Sequence, residues 1–136
     1  MSISTIKAFT IVELIVVIVT ISLLASISMP IYMKYQNKAK ATSYALPMVK
    51  ACAYDAAGLC QEINISSSTT LSLNGLKNCE STIVFGGSLT INISGSVTCV
   101  SSGYVSDGTI SGKLDSIEEY KASCYLNAKG IKCSVK

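Results

Sequence analysis

One uncharged run near the start of the chain limits what this sequence can fold into. From Leu14 to Met33 there are twenty consecutive residues without a charged side chain. A helix of that length is about 30 Å long, the hydrocarbon thickness of a bilayer. A single carboxylate, Glu13, directly precedes the run. The pattern predicts a helix that lies in lipid or packs against other apolar helices, with the remaining residues forming one domain.

The residues ahead of this run do not follow the order of a secretory signal. Such a signal places its small-residue cleavage site after the apolar core. Here the small residue Ala8 precedes the core, so cleavage after Ala8 would leave the apolar helix on the mature chain, beginning at Phe9. The basic residue Lys7 predicts that this end stays in the cytoplasm and that the bulk of the chain crosses the membrane.

Two motifs in this region resemble the type IV pilin and pseudopilin family. The family's Phe-Thr-(Leu/Ile)-(Ile/Val)-Glu opening matches Phe9-Thr10-Ile11-Val12-Glu13. Its Pro-x-Tyr-x-x-Tyr, one membrane span later, matches Pro30-Ile31-Tyr32-Met33-Lys34-Tyr35. The chain departs from the family at Ala8, where Gly is usual, and at Ser22, where a mid-helix Gly is common. The motifs cover roughly the first quarter of the chain, and beyond Tyr35 the resemblance is architectural.

The resemblance implies a pilin fold of the α+β class. A long N-terminal helix, transmembrane and then amphipathic, would pack on a small antiparallel β-sheet. Residues 1–8 would be a prepilin leader, 9–33 the transmembrane and filament-core helix, and 34–136 the globular periplasmic or extracellular domain. A prepilin peptidase would cut between Ala8 and Phe9 and N-methylate Phe9.

The resemblance also implies a function without catalysis. The expected role is a structural subunit of a type IV pilus, a helical homo-oligomer that serves adhesion, twitching motility or DNA uptake. It would be a single-pass inner-membrane protein before assembly and extracellular afterwards, with the assembly platform and minor pilins as partners. The alternatives are a minor pilin, a type II secretion pseudopilin that stays in the periplasm, and a plain anchored domain. Nucleic-acid binding and the adhesion target remain unknown at this point.

Glu13 is the predicted centre of assembly, and Pro30 is the second assembly residue. A carboxylate inside a membrane costs about 2.5–3.5 kcal/mol on insertion scales, so it needs a partner. Cleavage would create an amine at Phe9, one helical turn away, which allows neutralisation within the same helix. The resemblance implies instead that Glu13 pairs with the Phe9 amine of a neighbouring subunit and sets the axial register. Pro30 predicts a kink near Ala25 to Met29.

The second half of the helix is predicted to be amphipathic. Apolar positions recur at three- and four-residue steps, whereas four lysines lie off that stripe. The helix is expected to bend at Pro47, to run to about Ala57 and to stop at Gly58. The stripe is predicted to cover the dry face of the sheet. Its members are Tyr35, Ala39, Thr42, Leu46, Val49, Ala53 and Ala56.

After Leu59, strand-length apolar runs separated by turn residues predict an antiparallel meander. Hairpin turns are expected at Gly86-Gly87, Ser94-Gly95 and Lys129-Gly130. A capped helical turn is expected at Asp115–Glu118. The candidate strands are Thr69–Leu73, Thr82–Phe85, Leu89–Ile93, Val97–Ser101, Thr109–Leu114, Ala122–Asn127 and Ile131–Val135.

An even number of cysteines in a chain predicted to be exported indicates disulfides and an oxidising compartment. Six cysteines allow fifteen pairings, and sequence alone does not choose among them; free buried thiols are the alternative. Pairing of neighbours in chain order is expected, as Cys52–Cys60, Cys79–Cys99 and Cys124–Cys133. The last pair also follows from the resemblance, because a disulfide-closed loop near the C-terminus is common in the family.

The residue types of the chain argue against enzymes and against metal or cofactor sites. With no His, Ser-His and Cys-His couples and His metal sites are excluded. All eleven basic residues are Lys, and in the sequence they do not form the basic cluster that is typical of proteins that bind duplex DNA. Asp107, Asp115 and Glu118 lack the spacing of a calcium loop and are interpreted as solvated turn carboxylates.

Overall fold

The computed structural model describes residues 9–84 and 89–136. The chain divides into two compact units between Tyr35 and Gln36. The described part of the first unit is helical from Ile11, and the second unit combines helix with an antiparallel sheet. The predicted α+β class is therefore confirmed.

Among the described residues, the long helix consists of three consecutive segments, and a short 3-10 helix follows later at Lys77–Cys79. Helix α1 covers Ile11–Lys40, a π-helical turn covers Ala41–Ala45, and helix α2 covers Leu46–Glu62. In the π turn the amide of Leu46 bonds to the carbonyl oxygen of Ala41, five residues back. Pro47 explains its position, because a proline ring in an α-helix presses on the carbonyl four residues earlier and offers no N–H to it. The wider turn relieves that conflict.

The π turn changes which face of the helix is buried. The predicted stripe is confirmed at Val49, Ala53 and Ala56, but before them the buried residues are Ala41 and Ala45. The predicted positions Tyr35, Ala39 and Thr42 are exposed, and Leu46 is half-buried. A π turn holds more residues than an α turn, so the periodicity extrapolated backward from Val49 is displaced by about one residue.

The end of the helix was also predicted wrongly. Gly58 lies inside α2 with its Cα open to solvent, and the helix ends at Glu62. The additional turn carries Cys60, which is fully buried. Burial and cross-linking of that cysteine outweigh the modest helix-weakening tendency of a single glycine.

In residues 9–84 and 89–136 the sheet has six strands, and all of their pairings are antiparallel. Strand β3 pairs with β4, β4 with β5 and β5 with β6, whereas β1 and β2 both pair with the free edge of β3. The predicted meander is confirmed from β3 to β6. The strands are β1 (Thr69–Ser72), β2 (Thr82–Val84), β3 (Leu89–Cys99), β4 (Val105–Leu114), β5 (Ile117–Asn127) and β6 (Gly130–Val135).

Two predicted turns are wrong and one is confirmed. Ser94-Gly95 lies within β3, so two predicted strands are one. Asp115-Ser116 is the turn of the β4–β5 hairpin, not the start of a helical turn. The β5–β6 turn is at Ala128-Lys129, and Gly130 opens β6 with φ +133. Gly86-Gly87 lies outside the described residues.

The core lies between α2 and one face of the sheet. Val49 of α2 sits directly over Gly112 of β4, where a Cβ would come within 2.5 Å of a Val49 methyl carbon. The missing side chain thus lets the helix approach the sheet. Burial of each large aliphatic side chain here stabilises the fold by about 1.5–3 kcal/mol. The largest fully buried aliphatic side chains are Val49, Ile91, Val97, Ile110, Leu114 and Leu126.

All six cysteines are paired in three disulfides. Cys124–Cys133 is as predicted, and the register shows these two residues directly opposite each other on β5 and β6. The other two predicted pairs are wrong, since the bonds are Cys52–Cys79 and Cys60–Cys99. Cys52 and Cys60 are both buried residues of α2, and each bonds to a cysteine from a different later segment.

The three disulfides are expected to differ in their effect on stability. In the loop-entropy picture, removing Cys60–Cys99 should cost about 4 kcal/mol, Cys52–Cys79 about 3.5 kcal/mol and Cys124–Cys133 about 2.7 kcal/mol. Paired Cys→Ala replacements of each bond, compared by thermal melting of the full chain in one detergent, would give this ranking. A larger loss for the terminal pair than for Cys60–Cys99 would contradict it.

Candidate assembly site at the start of the apolar helix

Glu13 makes reciprocal hydrogen bonds with Thr10 at the first turn of α1. The Thr10 amide and hydroxyl donate to Oε2 of Glu13 at 3.3 and 3.2 Å. In return, the Glu13 amide donates to Oγ1 of Thr10 at 3.3 Å. Each residue thereby satisfies a backbone donor of the other, which is the geometry of a capping box.

This role of Thr10 was not predicted, although its signal is present in the sequence. Thr10-Ile11-Val12-Glu13 is the Ser/Thr-x-x-Glu pattern placed directly before an apolar run. A negative charge in the first turn is also favourable toward the positive end of the helix dipole. Glu13 therefore has a local structural role in addition to the role predicted in assembly.

The cap leaves part of the carboxylate free. Both contacts from Thr10 go to Oε2, and Oε1 accepts no hydrogen bond within residues 9–84 and 89–136. An amine brought to Oε1 would form a charge-assisted bond without breaking the cap. Phe9 is 79% exposed, whereas Ala8 and the predicted cleavage junction with it lie outside the described residues.

Every side chain from Phe9 to Gln36 is exposed. The helix is long and apolar enough to cross a membrane, and none of its most apolar window is buried. Its hydroxyl groups are satisfied internally, as the Ser22 hydroxyl shows by donating to the Ile18 carbonyl at 2.7 Å. Thr20, Ser26 and Ser28 donate in the same manner to carbonyls three residues back. Such a surface is suited to lipid or to other apolar helices.

Pro30 lies inside α1, and the helix continues through it to Lys40. Its assembly role remains a prediction.

Two of the three acidic residues considered for a calcium loop, Asp107 and Asp115, have other partners. Asp107 accepts a hydrogen bond from the phenol of Tyr125, and that bond together with the carboxylate charge raises the pKa of Tyr125 above its ordinary value. Asp115 accepts a hydrogen bond from the Asn92 amide. In the described part of the chain, no three His, Cys, Asp or Glu side chains are grouped to hold a metal ion.

Comparisons with protein-family models, curated proteins and solved structures give no significant match.

Proposed function

We propose that this chain is a structural subunit of a type IV pilus. The subunit would be held in the inner membrane by α1, processed between Ala8 and Phe9 and then assembled through that helix. The fold is consistent with a pilin-like arrangement, because a long N-terminal helix continues into α2, which packs on an antiparallel sheet. The observation that carries the proposal is the capped carboxylate of Glu13 at the head of a fully exposed apolar helix.

The assembly step follows from the chemistry of that helix. In lipid, a carboxylate without a cationic partner is unfavourable. Oε1 of Glu13 can accept a hydrogen bond from such a cation. The Phe9 amine of a neighbouring subunit would supply the cation and fix the axial register. Apolar helices leaving the bilayer would then exchange lipid contacts for packing against one another.

The proposal is tested by the intact mass of the protein in the sheared extracellular fraction, with and without reduction. The expected species begins at a methylated Phe9 and is lighter by six hydrogens when oxidised, because three disulfides are formed. A processed protein found only in membranes would support instead the minor-pilin or secretion-pseudopilin role. Retention of Met1 in every fraction would contradict processing, and the chain would be a plain anchored domain.

A further inference from the structure

Three lysines from separate parts of the sequence lie side by side on the sheet face opposite α2. Lys113 of β4 is directly opposite Lys121 of β5. Lys121 and Lys136 exchange two backbone hydrogen bonds of 2.7 and 3.0 Å across the next strand boundary. We call Lys113, Lys121 and Lys136 the lysine row. All three are exposed, and neighbouring members are separated by about 4.8 Å, the spacing between strands.

This arrangement is unfavourable for the fold on its own. Like charges directly opposite each other on adjacent strands destabilise a sheet. Within residues 9–84 and 89–136, no member of the lysine row forms an ion pair. The carboxylates along these strands are Asp107, which accepts a hydrogen bond from Tyr125, Asp115, which is bound to Asn92, and Glu118 and Glu119 at the irregular start of β5. The positive charge of the row is therefore available to a ligand.

A row of hydroxyl groups runs beside the lysine row. Ser94, Ser111, Ser123 and Ser134 are opposite one another across four consecutive strands. A groove of about 390 Å³ adjoins both rows. Its lining includes Thr109, Ser123, Tyr125, Lys132, Ser134 and Lys136. Tyr125 is half exposed there, and Lys132 adds a further cation to the groove.

We propose that this face binds an acidic polysaccharide of the polyuronate type, laid across the strands. A polyuronate carries one carboxylate on each sugar ring, and its charge repeat is of the same order as the strand spacing that separates the lysines. Ser111 is buried and donates to the Ser94 carbonyl, whereas the more exposed hydroxyls of Ser94, Ser123 and Ser134 offer donors and acceptors to sugar hydroxyls. The Tyr125 ring offers a face for a sugar ring. This function goes beyond filament assembly and does not depend on it.

The residue types on this face favour a glycan over a nucleic acid. Proteins that bind single-stranded nucleic acids combine a basic groove with several aromatic stacking surfaces. Tyr125 is the one aromatic residue among the described residues that line the groove. The chain has no Arg, the residue that most often reads bases in duplex DNA. Hydroxyl groups in a regular row are instead suited to a polymer rich in hydroxyls.

Binding is tested with the full chain in an uncharged detergent, with polygalacturonate as the probe and neutral dextran of similar length as the comparison. Polygalacturonate is expected to bind and dextran not to bind, and affinity should fall as salt is raised. Lys121→Gln should weaken binding about fivefold, the typical effect of one lysine near an anionic surface. The same variant should melt about 2 °C higher, because it removes repulsion from both neighbours.

The opposite signs of these two effects distinguish a binding role from a structural one. Lys121→Glu should raise the melting temperature further and abolish binding. Lys50→Gln, which removes an exposed lysine from α2, is the matched control and should leave binding unchanged. The proposal would be overturned if Lys50→Gln and Lys121→Gln lost equal affinity for polygalacturonate, or if the protein did not bind polygalacturonate. Tighter binding of a DNA duplex than of polygalacturonate at the same ionic strength would overturn the ligand class.

Discussion

Replacing Glu13 with glutamine is expected to reduce filaments by about tenfold or more while the protein stays in the membrane. The substitution removes the charge that would pair with the amine of a neighbouring subunit. An unpaired charge of this kind costs about 2.5–3.5 kcal/mol in lipid, and this cost is what drives the pairing. Membrane insertion should not suffer, because the neutral side chain is less costly to bury. Sheared filaments and the membrane fraction would both be measured by quantitative immunoblot.

Glutamine is chosen because it separates the two roles of Glu13. Its side-chain carbonyl can still accept from the Thr10 amide and hydroxyl, so the capping box is kept while the charge is lost. Thr10→Val does the reverse, since it removes the hydroxyl of the cap and leaves the carboxylate. If the charge drives assembly, Glu13→Gln should resemble Glu13→Ala, and Thr10→Val should assemble in part.

The opposite pattern would assign Glu13 a different role. Normal filament abundance in Glu13→Gln, with loss in both Thr10→Val and Glu13→Ala, would mean that the helix cap matters and the charge does not. Normal filaments in all three variants would leave the carboxylate without a role in assembly. In either case the processing of Phe9, followed by intact mass, would still be an independent measure of pilin identity.

Local sequence patterns were sufficient to predict the general fold. The long uncharged run and its amphipathic continuation predicted the helix, and the short runs between turn signals predicted the antiparallel sheet. These signals succeed because one face of each element must be buried, and the period of the apolar residues records which face it is.

The helix prediction failed where a tertiary or covalent constraint outweighed the local signal. The π turn that precedes Pro47 was not predicted, and it displaces the buried face to Ala41 and Ala45. Gly58 was expected to end the helix, yet the buried Cys60 extends it by another turn. A period calculated from one part of a helix cannot reveal an additional residue inserted elsewhere.

Disulfide pairing shows a similar limit. Cys124–Cys133 was expected from chain order and from the resemblance, and the short β5–β6 hairpin places the two residues directly opposite each other. The bonds of Cys52 and Cys60 depend on how α2 lies over later segments, which no local pattern specifies. The lysine row was missed for the same reason, since it exists only through the register of β4, β5 and β6.

Gly95→Ala is expected to destabilise the domain by about 4 kcal/mol, the combined effect of backbone strain and steric overlap. Gly95 has φ +154, a value that residues with side chains rarely adopt. A Cβ there would lie 2.8 Å from the Ile110 Cα and closer still to the Thr109 carbonyl oxygen. Both neighbours are backbone atoms of β4, so no side-chain rotation relieves the contact.

The matched control for this variant is Gly58→Ala, which makes the same substitution in an open position. No atom lies within 4 Å of a Cβ built at Gly58, and the residue is inside α2. Alanine there should stabilise the domain by about 0.5–1 kcal/mol, through its higher helix propensity.

In thermal melts of the full chain in detergent, Gly95→Ala should therefore melt about 15–30 °C lower and Gly58→Ala a few degrees higher than the parent protein. Similar melting of the two variants would mean that β3 and β4 do not approach each other closely at Gly95, and that the glycine between the two predicted strands has the turn role first assigned to it.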